Sequence, residues 1–197
     1  MRIAVLYICT GPYRIFWDEF YKSSNNFFLK EHEKHYFIFT DDVNFPESFD
    51  ITIIQKQCQG FPNDSLFRFQ MFLEIKEQLI NYDYTYFFNS NMQFVDFVNE
   101  EIFPNLTNEN GLVGVLHPGH YNKNYLFFPY ERNVRSKAFI PFKTNHIYRY
   151  FMGGVNGGKT LNYIDLIARC AINIEDDYKK GIIAVYHDES HLNSFFF

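Results

Sequence analysis

Two asparagines, Asn89 and Asn91, follow an aromatic run at residues 84–88 and present two amide side chains two positions apart. The run resembles a buried strand, so the amides are expected at the C-terminal end of that strand. Carboxylates at these positions would suit a hard divalent cation, whereas neutral amides bind Mg²⁺ or Mn²⁺ poorly. The pattern is compatible with a ligand site that works without metal. From the tripeptide at residues 89–91 alone, an asparagine-rich turn is the simpler interpretation.

A second chemical group lies at residues 187–193, where His-Asp-Glu-Ser-His-Leu-Asn places two carboxylates and two imidazoles within five positions. The acidic and hydroxyl side chains could cap a helix, which is the simplest interpretation of this segment alone. The histidines and Asp188 could instead bind a metal. Alternatively, a carboxylate held in a cleft could act as a nucleophile or stabilise an oxocarbenium-like centre.

A third group is the glycine-rich segment after Tyr150, in which four of the six residues from Gly153 to Gly158 are glycine. Glycines let a backbone approach a ligand closely, although a bare mobile loop is the alternative. The spacing is not GxGxxG, and no strand–turn–helix context follows. A nicotinamide-dinucleotide fold is therefore not expected.

The overall composition limits the possible classes of protein. A chain of 197 residues predicts one domain, and a net charge of -5 argues against nonspecific binding to nucleic acid. Cys9, Cys58 and Cys170 are widely spaced, which predicts reduced thiols in a cytoplasmic protein rather than a disulfide or metal framework. The apolar N-terminus is too short for a transmembrane segment and has no cleavage site. The oligomeric state is left open.

Apolar runs and helical periodicity predict strands that alternate with helices. The predicted strands are residues 3–9, 35–39, 51–54, 84–88, 112–116, 148–152 and 182–186. The predicted helices are residues 15–29, 64–80, capped by Asp64 or Ser65, 161–174, and 190 onward. This alternation predicts an α/β fold with a mainly parallel central sheet flanked by helices, and ligands beyond the carboxyl ends of the strands.

Taken together and in order, these segments resemble glycosyltransferase family 6, the family of the histo-blood-group A and B transferases, the α-1,3-galactosyltransferases and their bacterial relatives. The matching segments are residues 6–11 with Tyr13, 37–41, Arg68, 89–91, 117–121, 130–132, 152–154 and 187–193. Residues 89–91 occupy the family's DxD position, as in the bacterial NxN members. Residues 187–193 match the family's most distinctive signature almost residue for residue.

The resemblance implies a GT-A type glycosyltransferase fold over residues 1–197 and retaining transfer of GalNAc or Gal. The implied donor is UDP-GalNAc or UDP-Gal, and the implied acceptor is O3 of a β-galactoside, in particular a fucosylated one. No divalent metal or other cofactor is expected. The small residue Gly154 leaves room for an N-acetyl group, which favours GalNAc.

The resemblance also assigns roles to individual residues. The set expected to hold uridine is Ile8, Cys9, Thr10 and Tyr13. The set expected to contact the rest of the donor is Arg68, Asn89, Asn91, Met152, Gly153, Gly154 and Asp188. The set expected to bind the acceptor is His117, Tyr121 and Glu131. Glu189 is expected near the anomeric carbon, as nucleophile or as electrostatic support for an ion-pair transition state.

Two alternatives remain open from the sequence. Family members usually continue past the final helix into a basic tail, which this sequence is expected to lack. A catalytically impaired relative that binds UDP-sugar or glycan is therefore the alternative function. A metal hydrolase that uses His187, Asp188 and His191 is a third possibility.

Overall fold

A computed structural model describes residues 1–104 and 110–197 of the chain. The strands are β1 Arg2–Ile8, β2 Glu33–Thr40, β3 Ile51–Gln55, β4 Tyr84–Phe88, β5 Leu112–Leu116 and β6 Phe151–Lys159. The helices are α1 Trp17–Phe27, α2 Asn63–Leu66, α3 Arg68–Leu73, α4 Lys76–Leu79, α5 Thr160–Lys179 and α6 His187–Phe196. Short 3-10 helices occupy Gly11–Phe16, Glu100–Ile102 and Tyr125–Phe127.

The strands form one mixed sheet in the order β3-β2-β1-β4-β6-β5. β1 runs parallel to β2 and β4, and β2 runs parallel to β3, whereas β6 is antiparallel to β4. The central strand β1 is a continuous apolar run whose residues from Ile3 to Tyr7 are fully buried, as expected for a strand covered on both faces. The predicted α/β class with a mainly parallel sheet is confirmed.

The chain divides into two compact units. Unit 1 comprises Met1–Gly60, Ile75–Val113 and Gly154–Tyr163. Unit 2 comprises Phe61–Glu74, Gly114–Gly153 and Ile164–Phe197. Within residues 1–104 and 110–197, no helix combines the length and apolar character needed to cross a membrane.

Aromatic side chains build much of the core of unit 1. The buried Trp17 ring lies 5.2 Å from the ring of Tyr7 and 5.7 Å from that of Tyr36. Tyr7 also stacks on Phe20, with ring centroids 4.4 Å apart. These edge and offset contacts are the geometries that aromatic pairs prefer. A large part of the aromatic side chains of unit 1 therefore serves packing.

The alternative interpretation of the glycine-rich segment, a bare mobile loop, is wrong. It forms β6, which pairs with β4 in antiparallel register, Gly157 lying opposite Tyr86. A Cβ atom added to Gly157 would overlap the Tyr86 side chain and the Thr85 carbonyl oxygen. Glycine is therefore selected here by the close approach of two strands, which is one of the few reasons for glycine inside a strand.

Two further element predictions require correction. The helix predicted over residues 64–80 is divided into α2, α3 and α4, and Pro62, not Asp64 or Ser65, is the N-cap. Residues 182–186 do not form a strand. The N–H of Ile182 donates to the Asp177 carbonyl, and the N–H of Val185 donates to the Glu131 carboxylate. These two backbone N–H groups thus donate to a nearby carbonyl and to a side chain, and not to the carbonyls of a neighbouring strand.

Candidate active site

The Glu189 carboxylate is fixed through both of its oxygens. It lies in the first turn of α6, in unit 2, and is partly exposed. Oε1 accepts a hydrogen bond from the Tyr150 hydroxyl over 2.7 Å, and Oε2 accepts one from the Gly153 N–H over 2.6 Å. Hydrogen bonds to an ionised carboxylate are shorter and stronger than neutral ones. The side chain is therefore held in one orientation.

The neighbouring residue, Asp188, forms a buried ion pair. Its Oδ2 lies 2.9 Å from Arg68 Nε, and both side chains are almost inaccessible to solvent. Arg68 Nη1 also donates to the Gly153 carbonyl over 3.1 Å. Burial raises the pKa of Asp188 to about 6, while the Arg68 guanidinium opposes that rise and the Glu189 charge adds to it. Arg68 is therefore not an ordinary exposed helix charge.

Asn193 attaches α6 to the start of β6. Its Oδ1 accepts the Phe151 N–H over 2.8 Å, and its Nδ2 donates to the Phe151 carbonyl over 2.8 Å and to the Glu189 carbonyl over 2.9 Å. The two bonds to Phe151 join α6 to the strand segment that carries Gly153, and the third lies within one turn of α6. The sequence reasoning assigned no role to Asn193 or Tyr150. The four-residue spacing from Glu189 to Asn193 places both on one face of a helix and was the available signal.

The capping interpretation of residues 187–193 is wrong in its simple form. The N-cap of α6 is Tyr186, which makes no side-chain capping bond. Instead, the Tyr186 N–H donates to Ser190 Oγ over 3.0 Å. Asp188 and Glu189 do lie in the first turn, where the helix dipole favours negative charge. Their side-chain partners nevertheless come from outside the helix.

The metal interpretation of this segment finds no support in unit 2. His191 is buried, and burial lowers its pKa to about 4, so the imidazole is neutral at physiological pH. Its Nε2 lies 3.8 Å from Asp177 Oδ2. The His187 ring packs edge-on against Phe61. Across the described residues, no group of three or more His, Cys, Asp or Glu side chains is arranged to hold a metal ion.

The two asparagines lie at the end of β4, as predicted, and belong to unit 1. The Asn89 N–H donates to the Gly154 carbonyl over 2.8 Å, and the Asn89 carbonyl accepts the N–H of Met92 over 3.1 Å. Asn91 is exposed in the turn that follows. The carbonyl of Ser90, between them, accepts the buried Tyr7 hydroxyl. Two neutral amides do not fit the ligand preference of Mg²⁺ or Mn²⁺.

The residues predicted to hold uridine follow the C-terminal end of β1. Ile8 ends the strand and is partly buried, and the buried Cys9 donates its N–H to the Phe39 carbonyl over 2.9 Å. Burial raises the pKa of the Cys9 thiol to about 12, so this thiol packs as a neutral group. Thr10 is buried, whereas Tyr13 is half exposed in the first 3-10 helix.

The residues predicted to bind the acceptor lie in unit 2 and differ in exposure. The His117 N–H donates to the Tyr150 carbonyl over 2.9 Å, and its ring lies 5.8 Å from that of Tyr150. Tyr121 is mostly exposed. Glu131, in contrast, is buried, and its two oxygens accept the N–H groups of Asn133 and Val185.

The residues predicted to contact the donor sugar are also close to the carboxylates of unit 2. A Cβ atom added to Gly153 would lie 3.1 Å from Glu189 Cβ and 3.2 Å from Asp188 Oδ2. Met152 precedes Gly153 on β6 and is partly buried. Unit 2 therefore brings together Glu189, Asp188, Arg68 and Gly153. In unit 1, the Gly154 carbonyl accepts a hydrogen bond from the Asn89 N–H.

A mixed α/β fold with a six-stranded central sheet flanked by helices is consistent with the GT-A-like class of glycosyltransferases. Comparison with known proteins then identifies the family. The family model described as glycosyltransferase family 6 matches residues 1–197, and the chain belongs to that family. The resemblance inferred from the motifs is confirmed.

Several named proteins are similar to this chain. The O-antigen biosynthesis glycosyltransferase WbnI of Escherichia coli is 36% identical over 199 residues, which cover 100% of this chain and 82% of WbnI. The globoside alpha-1,3-N-acetylgalactosaminyltransferase 1 of Gallus gallus is 30% identical over 206 residues, which cover 100% of this chain and 57% of that protein. The histo-blood group ABO system transferase 2 of Rattus norvegicus is 29% identical over 202 residues, which cover 98% of this chain and 58% of that protein. The chain thus spans a little over half the length of these two animal relatives.

Proposed function

We propose that this chain is a retaining hexosyltransferase that moves GalNAc, or Gal, from a UDP-sugar to O3 of a β-galactoside without a metal ion. Its membership of glycosyltransferase family 6 supports a sugar-transfer reaction. The names of its relatives support the choice of sugar, since one is an alpha-1,3-N-acetylgalactosaminyltransferase. Its similarity to WbnI supports an acceptor of the glycan class.

The fixed Glu189 carboxylate is the observation that carries the proposal. As the bond from the anomeric carbon to the departing UDP lengthens, positive charge develops on the sugar ring. A carboxylate pre-oriented by Tyr150 and Gly153 supports that charge, as nucleophile or as counter-ion, without first having to reorganise. Asp188 takes a different role in this proposal: held by Arg68, it accepts hydrogen bonds from donor hydroxyls.

The amides of Asn89 and Asn91 support the metal-independent part of the proposal. In DxD members, two carboxylates and one dication accompany the diphosphate. Replacing both carboxylates by amides removes two negative charges together with the need for the cation. The charge that develops on UDP is then stabilised by cationic side chains and backbone donors.

The preference for GalNAc rests on Gly154. Its lack of a side chain leaves room for the N-acetyl group at C2 of the donor sugar. Met152, by comparison, resembles the residue of galactose-using relatives. We therefore expect UDP-GalNAc to be the better donor and UDP-Gal to be accepted more slowly.

The test is a transfer assay on a 2'-fucosylated galactoside with UDP-GalNAc or UDP-Gal, run in EDTA. Glu189→Gln should lower kcat by about a hundredfold or more, the scale of losing one electrostatic group in a preorganised site. Glu175→Gln is the matched control, because this residue of α5 is exposed and pairs with Lys179 at the surface. It should keep the parent rate.

Three outcomes would contradict parts of this proposal. Parent-rate transfer by folded Glu189→Gln would refute the assigned carboxylate role. Activity that is lost in EDTA and restored by Mn²⁺ would refute metal independence. Binding of UDP by the parent chain with neither transfer nor hydrolysis would favour the alternative, a nucleotide-sugar-binding relative without turnover.

A further inference from the structure

Glu131 has contacts that differ from those of a residue placed to bind a substrate. Its side chain is buried, with 7% of the residue exposed. Oε1 accepts the Asn133 N–H over 2.7 Å, and Oε2 accepts the Val185 N–H over 2.8 Å. Each oxygen thus has a backbone donor, so the carboxylate is directed into the protein.

The second of these donors lies immediately before α6. Val185 precedes the N-cap Tyr186, and His187 follows with a φ of 49°, which is in the left-handed region. A non-glycine residue is disfavoured there and needs the surrounding structure to hold it. The bond from Val185 to Glu131 fixes the chain just before this residue. The direction in which α6 leaves the turn determines where Glu189 points.

A second buried carboxylate ties the same segment to α5. Asp177 accepts the Ser136 hydroxyl over 2.6 Å and the Lys137 N–H over 2.8 Å. Its own carbonyl accepts the Ile182 N–H over 2.9 Å. Residues 131–137 are therefore attached at one end to the chain before α6 and at the other to the end of α5.

We infer that Glu131 is a positioning residue that acts through the Val185 N–H to set the orientation of the first turn of α6, and hence of the Glu189 carboxylate. This role differs from the acceptor contact that the family resemblance implies for Glu131. It rests on the proposed function in one respect only, that Glu189 supports the reaction. The bonds that orient α6 do not depend on that function.

The two roles predict different kinetics for Glu131→Gln. A positioning residue affects every reaction at the anomeric carbon, so transfer to the glycan and acceptor-independent hydrolysis of UDP-GalNAc should slow by the same factor. We expect that factor to lie between about tenfold and a hundredfold, the usual cost of a small misplacement. The acceptor KM should stay within about twofold of the parent value. An interaction made only in the transition state lowers kcat when it is removed and leaves KM unchanged. A raised acceptor KM with unchanged hydrolysis would overturn the inference.

A measurement independent of turnover separates this inference from the proposed function. Amide hydrogen exchange at residues 185–193 should speed up about tenfold in Glu131→Gln, because the amide has one acceptor oxygen for the two backbone N–H donors. Glu175→Gln, the same chemical change at an exposed position, should leave the exchange unchanged. If exchange in folded Glu131→Gln matches the parent, the inference is wrong whether or not the chain transfers sugar.

A second variant covers the case in which Glu131→Gln does not fold. Ser136→Ala removes one bond to Asp177 and loosens the same segment without touching Glu131. It should reduce transfer and hydrolysis equally, by a smaller factor, and should raise exchange over residues 185–193. If hydrogen exchange in this variant matches the parent, the inference that residues 131–137 hold the chain before α6 in place is contradicted.

Discussion

Replacing Tyr150 with phenylalanine removes a single hydroxyl group from the candidate site. That hydroxyl donates to Glu189 Oε1 over 2.7 Å, while the residue itself is only 2% exposed. The ring would stay packed against Tyr130 and His120, whose ring centroids lie 5.5 Å and 5.1 Å away. Burial beside the Glu189 carboxylate raises the pKa of Tyr150, so the neutral hydroxyl remains a donor throughout the working pH range.

The expected loss follows from the strength of the deleted bond. A hydrogen bond to a charged group contributes roughly 1.5–3 kcal/mol. If this contribution is expressed mainly in the transition state, kcat falls by between about tenfold and 150-fold. Gly153 still holds Oε2 over 2.6 Å, so the carboxylate loses one of two restraints rather than both. UDP affinity should be unchanged, because the deleted hydroxyl does not take part in nucleotide binding in our proposal.

The assay is single-turnover transfer from UDP-GalNAc, combined with UDP titration and thermal unfolding. Tyr163→Phe is the matched control: it deletes another buried tyrosine hydroxyl, which donates to Asn156 Oδ1 over 2.7 Å. Both variants should be destabilised to a similar extent, but only Tyr150→Phe should lose turnover. A folded Tyr150→Phe that transfers at the parent rate would refute the reasoning, as would equal losses of kcat in both variants.

Two further predictions concern the charges of the site. Because burial raises the pKa of Asp188 from its ordinary value of 3.8 to about 6 in the folded chain, its ionisation costs stability as pH rises through that interval. Turnover should instead fall below about pH 6 as the pair with Arg68 is lost, and both trends should be missing in Asp188→Asn. Changing both Asn89 and Asn91 to Asp should weaken UDP binding in EDTA through charge repulsion, and Mn²⁺ should restore part of it. Unaltered calorimetric affinity in EDTA would contradict this second prediction.

The sequence identifies those parts of the fold whose signal is local. The strands from β1 to β5 are apolar runs between turns, and each lies within about two residues of its prediction. β6 could not be found this way, because glycine in isolation indicates a loop. Gly157 is instead selected by the proximity of Tyr86, a residue 71 positions earlier in the chain. The same limit applies to residues 182–186, whose apolar pattern suits a strand but whose N–H groups find side-chain and helix-end acceptors.

The candidate site, like the fold, could be predicted only where the signal is local in the sequence. Asp188, Glu189 and Arg68 can be named from motifs, but motifs do not reveal which carboxylate is paired with a cation. That information depends on contacts such as the bond from Tyr150 to Glu189, which joins residues 39 positions apart. Glu131 is the clearest case, because an acidic residue in a polar segment suggests exposure, whereas it is buried.

The contrast between the two adjacent carboxylates explains how each can serve a different role. Asp188 and Glu189 would repel each other if both relied on solvent alone. Asp188 is buried and is neutralised by the Arg68 guanidinium 2.9 Å away. Glu189 is partly exposed, and two neutral donors, the Tyr150 hydroxyl and the Gly153 N–H, hold its oxygens. A carboxylate already paired with a cation is a weak partner for a new positive centre, whereas one held by neutral groups remains available. The partners of these side chains, rather than their order in the sequence, therefore favour Glu189 as the group that faces an oxocarbenium-like sugar.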